Sequence, residues 1–427
     1  MLADVIITNA RLNEKNELYL LFIKDGKFID IQGLKQDKEE GFKNQNLESE
    51  VENSNATIID AAGQLILPAL IETHIHLDKA CIFSRCQLKE GTLEEAITQT
   101  AKAKASFTYD DVYQRGKKVI EKAIKQGTSF MRTHVEIDPV IGLISFNAIK
   151  QLKIDYAWAM TIELCVFPQE GLHNNPGTYE LLEQTLQQGA DLLGGCPYTD
   201  SEPQRQIETL FKLASKYDVD LDFHLDFDLN PNNMSLPYII DMTEKFNYQH
   251  RVTVGHVTKL SAIEPEKLHI IAEKMSSAGV QLTALPSTDL FLTGRDHQYN
   301  IPRGVAPLMP LAKAGVCCSI SSNNIENPFT PYGDASQIRQ ANLYANVAQL
   351  ATQSELSKCM HWISTDSARL MGLSNYGIEV GMDADVNFFN AQNESEVIAT
   401  VLAPSMGLKR GKITFKRKEV ELFFPSC

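Results

Sequence analysis

Between residues 65 and 321 one pattern recurs: a short apolar run closes on a polar or rim residue, and a stretch with helical apolar spacing follows. The runs close at His76, Glu136, Glu163, Cys196, Asp226, His256, Leu285 and Ser321. Eight such units are what a closed parallel barrel needs, since each strand must return to the same end through a helix outside the sheet. The connecting pieces LEEAITQTAKAKA, DDVYQRGKKVIEKAIKQG and QRQIETLFKLASKYD carry their apolar residues at helical intervals. A chain of 427 residues holds such a barrel with room for a small satellite domain.

Both ends read differently from the middle. DVIITNARL and LYLLFIKDGKFIDI alternate as strands, with Asp25-Gly26 as a hairpin turn. From about Gly377 the tail returns to strands: DADVNFFN, VIATVLA and GLKRGKITFKRKEVELFF. The expected architecture is an α/β fold: a (β/α)8 TIM-type barrel over 67–375, flanked by a composite β-sandwich from 1–66 and 376–427. The polar insert 36–57 is expected to be a loop without function.

The net charge of −14 repels phosphate backbones and excludes nucleic acid as a natural partner. No apolar stretch approaches the length of a membrane span, and Asp4 stands where a signal peptide wants positive charge. The eight cysteines form no C-x-x-C pair, which suits buried thiols. A cytoplasmic, reduced protein is expected.

Of the ten histidines, five fall at predicted strand ends: His74, His76, His134, His224 and His256. Residues i and i+2 on a strand face one side, so His74 and His76 point together at the barrel rim where active sites lie. A lone strand histidine is ordinarily a hydrogen-bonded core residue. Five at one rim make a site. Neutral imidazole is a common ligand for zinc or iron, and His224 is a candidate third ligand.

These residues carry a resemblance. LPALIETHIHLDKA resembles the first-strand motif of the amidohydrolase superfamily, in particular its cytosine deaminase branch. MRTHVEID, VFPQEG, LDFHLDFD, VTVGHVTKLS, LTGRDHQYNIPRG, NNIENPFTPYGD and DADVNFF follow in the order of that branch's remaining segments. The resemblance implies His74, His76 and His224 as metal ligands, Gln169 as a partner of an amide-like substrate edge, and His256 as polariser of the attacked carbon. It implies one divalent metal ion, Zn or Fe, because DLLGGCPYTD offers no lysine to bridge a second. The partner it implies is a small nitrogen heterocycle, cytosine or a related pyrimidine or triazine; relatives are often homo-oligomers, though nothing in the sequence marks a symmetric interface.

Two positions depart from that pattern. Phe227 stands where the branch has a proton-shuttling glutamate, and Asn323, followed by Asn324, stands where it has a metal-ligating aspartate. An amide oxygen can ligate a cation but brings no charge and takes no proton near neutral pH. Asp226 and Asp228 share strand parity with His224 and are the first candidates for a relocated shuttle. Asp78, Lys79, Glu136, Asp200 and Asp289 also sit beside strand ends, where an ordinary rim carboxylate bonded to a loop amide is the competing role. Lys79 is a candidate anchor for a substrate carboxylate or oxo group, its alternative a salt bridge to a rim acid. Phe227 and Asn324 are candidate substrate contacts, Phe227 by stacking. Cys196 reads as packing. Three functions follow: a metal-dependent hydrolase of C–N bonds, a degenerate barrel that binds a heterocycle without efficient turnover, and a metal-free hydrolase using Asp226 or Asp228 as base.

Overall fold

The structure, a computed structural model, describes residues 3–12, 17–34, 36–37, 41–42, 55–418 and 420–423. Strands β1 (Val5–Ala10), β2 (Leu18–Lys24), β3 (Lys27–Leu34) and β4 (Thr57–Asp60) form one sheet in the order β3-β2-β1-β4. The β2–β3 turn is made by Asp25 and Gly26 at φ 50° and 79°, the paired left-handed conformation that a two-residue hairpin demands. A Cβ at Gly26 would also stand 2.8 Å from the Arg410 side chain. Of the insert 36–57, Gln36–Asp37 pairs with Gly41–Phe42 and Thr57 opens β4, while 38–40 and 43–54 lie outside the described residues.

Strand β5 (Leu65–Pro68) leaves that sheet, and Ala69 alone separates it from the first barrel strand, β6 (Leu70–Ile75). The barrel continues with β7 (Thr128–Glu136), β8 (Thr161–Phe167), β9 (Leu192–Gly195), β10 (Asp220–Leu225), β11 (Val252–His256), β12 (Val280–Ala284) and β13 (Cys318–Ile320). These pair in parallel in chain order, with helices between, as the repeated pattern predicts. Closure runs through Asn323: its N–H donates to the His74 carbonyl and its carbonyl accepts from the His76 N–H, both at 2.9 Å. The chain then returns through β14 (Val386–Phe389), β15 (Met406–Lys409) and β16 (Lys412–Lys416), which join β5 in a second sheet. Ile7, Leu21, Ile23 and Phe28 from one sheet and Ile66, Val386, Phe388 and Leu408 from the other bury one core between them. This is the composite sandwich.

Three details differ from the sequence reading. The third barrel strand does not end at Glu163. It runs on through Leu-Cys-Val-Phe to Phe167, and Glu163 lies near its start, where it accepts from Arg132 Nε at 3.0 Å. The stretch VIATVLA forms no strand; residues Glu394–Ala399 are helical, capped by Asn393, whose side chain accepts from the Glu396 N–H. The sandwich strand β5 reaches Pro68, two residues past the expected boundary.

Candidate active site

Strand parity turns His74 from β6, Arg132 and His134 from β7, and Asp222 and His224 from β10 into the barrel, while His76 follows β6 at the rim. All are buried. The His224 Nε2 stands 3.1 Å from His74 Nε2 and 3.0 Å from His76 Nε2. Burial pushes all three rings well below the ordinary histidine pKa, and repulsion from neighbouring imidazoles and, at His76 and His224, from Lys79 adds to it. They are therefore neutral, and each neutral ring has one bare nitrogen. One Nε2–H on His224 can serve these two contacts only by being shared; a cation among the three nitrogens satisfies all of them. Nitrogens held about 2.0–2.1 Å from a tetrahedral zinc-type ion stand about 3.3–3.4 Å apart, close to each of the two His224 contacts. The Asn323 side chain adds a buried Oδ1 without a hydrogen-bond partner. Two buried groups have ligand atoms that all lie within 4.8 Å of one another and could hold a cation, His74 with His224 and His256, and His74 with His134 and Asp222; His76 touches His224 but belongs to neither.

The ring of His74 packs on bare backbone. A Cβ at Gly255 would stand 3.0 Å from its Cε1, so glycine is needed there for the imidazole to sit against β11. Below, Asp222 Oδ1 lies 3.8 Å from His74 Nδ1 and 3.4 Å from His134 Nε2, while Asp222 Oδ2 accepts from Arg132 at 3.0 Å. His134 stacks on His74 with centroids 3.8 Å apart. Sequence reasoning placed His134 at the rim without a role and missed Asp222 and Arg132. Their signal was parity, two residues before His224 and His134 respectively. The fourth strand is closed to side chains: a Cβ on Gly194 would meet the Asp222 carbonyl at 2.7 Å, and one on Gly195 the Phe223 ring at 2.6 Å.

His256 Nδ1 hydrogen-bonds with Asp289 Oδ1 at 2.6 Å, and Nε2 is turned toward the Asn323 amide, 3.4 Å away. Asp289, wholly buried, has its pKa raised by that burial against the pull of His256. His256 and Val257 sit at φ 69° and 47°, a conformation costly for a β-branched residue. Strain of this kind gathers at functional rims.

The relocated-shuttle expectation meets a different arrangement. Asp226 is buried with both oxygens engaged, accepting from the Ser235 N–H at 2.7 Å and the Leu236 N–H at 2.9 Å. It pins the loop that follows β10 onto the next helix. Asp228 is half exposed and pairs with Lys259 at 3.2 Å. Neither borders the space above the imidazoles. Asp200 is likewise a loop clamp, accepting from the Leu172, His173 and Glu202 amides and from Gln206.

Lys79 is buried at the site's edge, where its Nζ donates to Glu136 at 2.7 Å and Gln169 Oε1 at 3.0 Å and lies 4.4 Å from the Phe329 ring centroid. Glu136 is shared with Lys104, which also reaches Asp138 and Glu170, each at 2.6 Å. Burial opposes ionisation of Glu136, but Lys104 and Lys79 outweigh it and hold its pKa at about 2. Lys104 sits in the last turn of a helix, Leu93–Lys104, that opens on a Thr92 cap accepting from the Glu95 N–H. Asp78 accepts from the Glu136 N–H at 2.8 Å and Cys196 packs under Gln169.

Above the imidazoles lies a chamber walled by Lys79, Gln169, His256, Asn323 and Asn324 and roofed by Leu93, Phe227, Leu292 and Phe329. Asn324 spends its Oδ1 on Asn327 at 2.7 Å. Phe227 meets the His256 ring edge to face at 4.6 Å. The chamber leaves about 10 Å³ for the centre of a water molecule, room for about one water. Outside the roof, sharing Leu93, Phe227 and Leu292 as its floor, opens a vestibule of about 830 Å³. A groove of similar size between Leu260, Pro265, Met309 and Tyr344 touches none of the imidazoles. Among the described residues no helix is long and apolar enough to cross a membrane.

Comparison with known proteins agrees with this geometry. A profile described as the amidohydrolase family matches residues 117–415. The chain is 27% identical over 425 residues to N-isopropylammelide isopropyl amidohydrolase of Pseudomonas sp. (strain ADP), covering 97% of each. It is 26% identical over 361 residues to pterin deaminase of Rhizobium rhizogenes, covering 83% of this chain and 81% of that one. Among solved structures, 5-methylcytosine deaminase of Klebsiella pneumoniae bound to 5-fluorocytosine superposes with a TM-score of 0.90 at 25% identity, over 98% of this chain and 99% of that one.

Proposed function

This chain belongs to the amidohydrolase family, and we propose that it is a one-metal hydrolase of C–N bonds in a small nitrogen heterocycle, a cytosine-like pyrimidine, a triazine or a pterin. The observation that carries the reading is that the buried His224 Nε2 lies 3.1 Å from His74 Nε2 and 3.0 Å from His76 Nε2 at the rim of an eight-stranded barrel. When bound, a divalent ion such as zinc or iron polarises the attacked centre and lowers the pKa of a water. The protein's own groups do the rest. Lys79 and the Gln169 amide form one polar wall that holds a ring oxo group or amide edge. Phe227 and Phe329 present apolar faces to a planar ring. Asn324 borders the same space. His256, oriented by Asp289, presents Nε2 toward the reacting centre. Asp226 has both oxygens occupied and is given no proton-transfer role.

The test is metal content together with ammonia release. Purified protein is expected to carry about one equivalent of zinc or iron and to release ammonia from at least one member of a panel of cytosine, aminotriazines and pterin, with the activity lost on chelation and restored by metal. Chelation-resistant turnover would overturn the metal-dependent reading.

A second reading has its own observation. The chamber has room for about one water, and its roof is apolar at Phe227. A barrel that binds a heterocycle slowly and turns it over poorly is the function those two facts favour. Tight binding without ammonia release, in protein that holds its metal, would select it.

A further inference from the structure

We infer that Arg295, in the wall of the vestibule, recognises an anionic substituent on the heterocycle, so that the substrate is a ring bearing a carboxylate or phosphate group that stays outside the roof while the ring enters the chamber. The inference rests on the reading of the chamber as a site of C–N hydrolysis and deepens it by naming the substrate class. The chamber has room for about one water. The vestibule of about 830 Å³ lies directly beyond Leu93, Phe227 and Leu292, so a group attached to a ring that passes the roof has its space there. The Arg295 guanidinium is held flat in that space. It lies over the Phe291 ring, 4.5 Å from the centroid, and against the backbone of Gly91, where a Cβ would stand 3.1 Å from Cζ and from both Nη atoms. Nε donates to the Phe291 carbonyl at 2.8 Å and Nη1 to the Glu90 carbonyl at 2.9 Å. A guanidinium has five N–H donors; these bonds use two of them, and neither goes to a carboxylate.

The acids of the same wall are engaged elsewhere, Asp228 with Lys259 at 3.2 Å and Asp296 with His297 at 3.0 Å. Arg295 is thus a cation fixed by stacking and by carbonyls, and a planar fork held in this way loses little freedom on meeting a carboxylate or phosphate. Its place in the chain ties recognition to the roof. Arg295 follows Leu292 by three residues, and Gly91 precedes Leu93 by two. The bond from Arg295 to Glu90 therefore joins the two segments that carry those roof residues. Between Leu292 and Arg295, Thr293 donates through Oγ1 to the Asp289 carbonyl at 2.6 Å, and Asp289 is the partner of His256. An oxyanion drawn to Arg295 binds where the roof is fastened. The rival role is a latch alone, which would serve every ring alike.

The test compares matched rings on the purified, metal-loaded protein: pterin against 6-carboxypterin and cytosine against 5-carboxycytosine for the carboxylate, and cytidine against cytidine monophosphate for the phosphate. Ammonia release gives kcat/KM where a ring turns over, and calorimetry gives Kd where it does not. At least one anionic member is expected to be favoured over its neutral partner about tenfold, the scale of a hydrogen bond to a charged group. Preference in the first two pairs selects a carboxylate, and in the third a phosphate. The preference is expected to shrink as salt rises from about 0.05 to about 0.5 M. Arg295→Gln, which keeps an N–H for the Glu90 carbonyl, is expected to bring the ratio within about twofold of one, and Arg295→Lys to retain part of it, since the charge stays while the fork is lost. Circular dichroism and melting check each variant; should Arg295→Gln not fold, Arg295→Lys and the salt dependence of wild type decide the matter. Ratios at or below one for every pair in wild type, a preference that survives in Arg295→Gln, or equal losses for both members of a pair overturns the inference while leaving the hydrolase reading intact. Neither ammonia release nor binding with any ring, in protein that holds its metal, overturns both.

Discussion

The floor and the roof of the chamber were built under different demands. The floor is polar, deeply buried and braced: His74 lies on Gly255, Asp222 sits beneath it, and Arg132 holds Asp222. The roof is an apolar cluster of Phe227, Leu292, Phe329 and Ala96, packed by Leu93 and Tyr198. The floor gathers imidazoles that could hold an ion. The roof carries none of the carboxylates that would move protons above it and closes the space a ring must occupy. A barrel can thus keep its ion-holding half while its proton-handling half is rebuilt, because the first hangs on strands and the second on the loops after them.

The largest effect expected is on the floor. His224→Ala should drop bound zinc or iron from about one equivalent to under about a tenth and abolish hydrolysis; retention of metal, measured by elemental analysis, would break the comparison at its base. Next comes the roof. Phe227→Glu places a carboxylate against His256 and should raise turnover about 100-fold, the lower end of what a single acid–base group contributes, with Phe227→Gln giving no gain. An equal gain from both would mean that opening the chamber, not proton transfer, was limiting. Beside the chamber, Lys104→Met leaves Glu136, Asp138 and Glu170 without their shared cation and should cost about 3–5 kcal/mol by denaturant unfolding. Lys79→Met should cost less, since Glu136 keeps Lys104. Leu292→Ala should cost about 2–4 kcal/mol and lower KM by opening the roof to the vestibule; an unchanged KM removes Leu292 from the path. The smallest effect is at Asp200. Backbone amides and Gln206 hold its pKa low against the cost of burial. A depressed pKa contributes stability above the unfolded value of about 3.9 that is lost as pH falls through the folded one. Asp200→Asn should therefore melt below wild type at pH 6 and approach it below about pH 4.

The barrel was legible because eight strand–helix units repeat, and the three Nε2 donors because His74, His76 and His224 obey parity at strand ends. Asp289 was visible only as a rim acid. Its bond to His256 spans two strands and rests on the turn that begins at Leu285, which no local pattern encodes. Asp226 shows the opposite failure. Parity pointed it inward, but β10 ends at Leu225, and the left-handed φ of 49° at Asp226 sends its side chain to the Ser235 and Leu236 amides instead. At VIATVLA the β-branched residues suggested a strand, while the cap at Asn393 with Glu396 three residues on was a readable helix start.

The shared sandwich core has a consequence for how the protein is made. Ile7, Leu21, Ile23 and Phe28 leave the ribosome before the barrel, yet the residues that cover them, Val386, Phe388 and Leu408, are translated after it. During synthesis the early sheet must wait, half-uncovered, through the whole of the barrel. Because Ala69 joins that sheet's neighbour β5 directly to β6, a nascent chain cut short before residue 386 would present an apolar sheet face tethered to the strand bearing His74, a surface for chaperones to hold and for aggregation to seize.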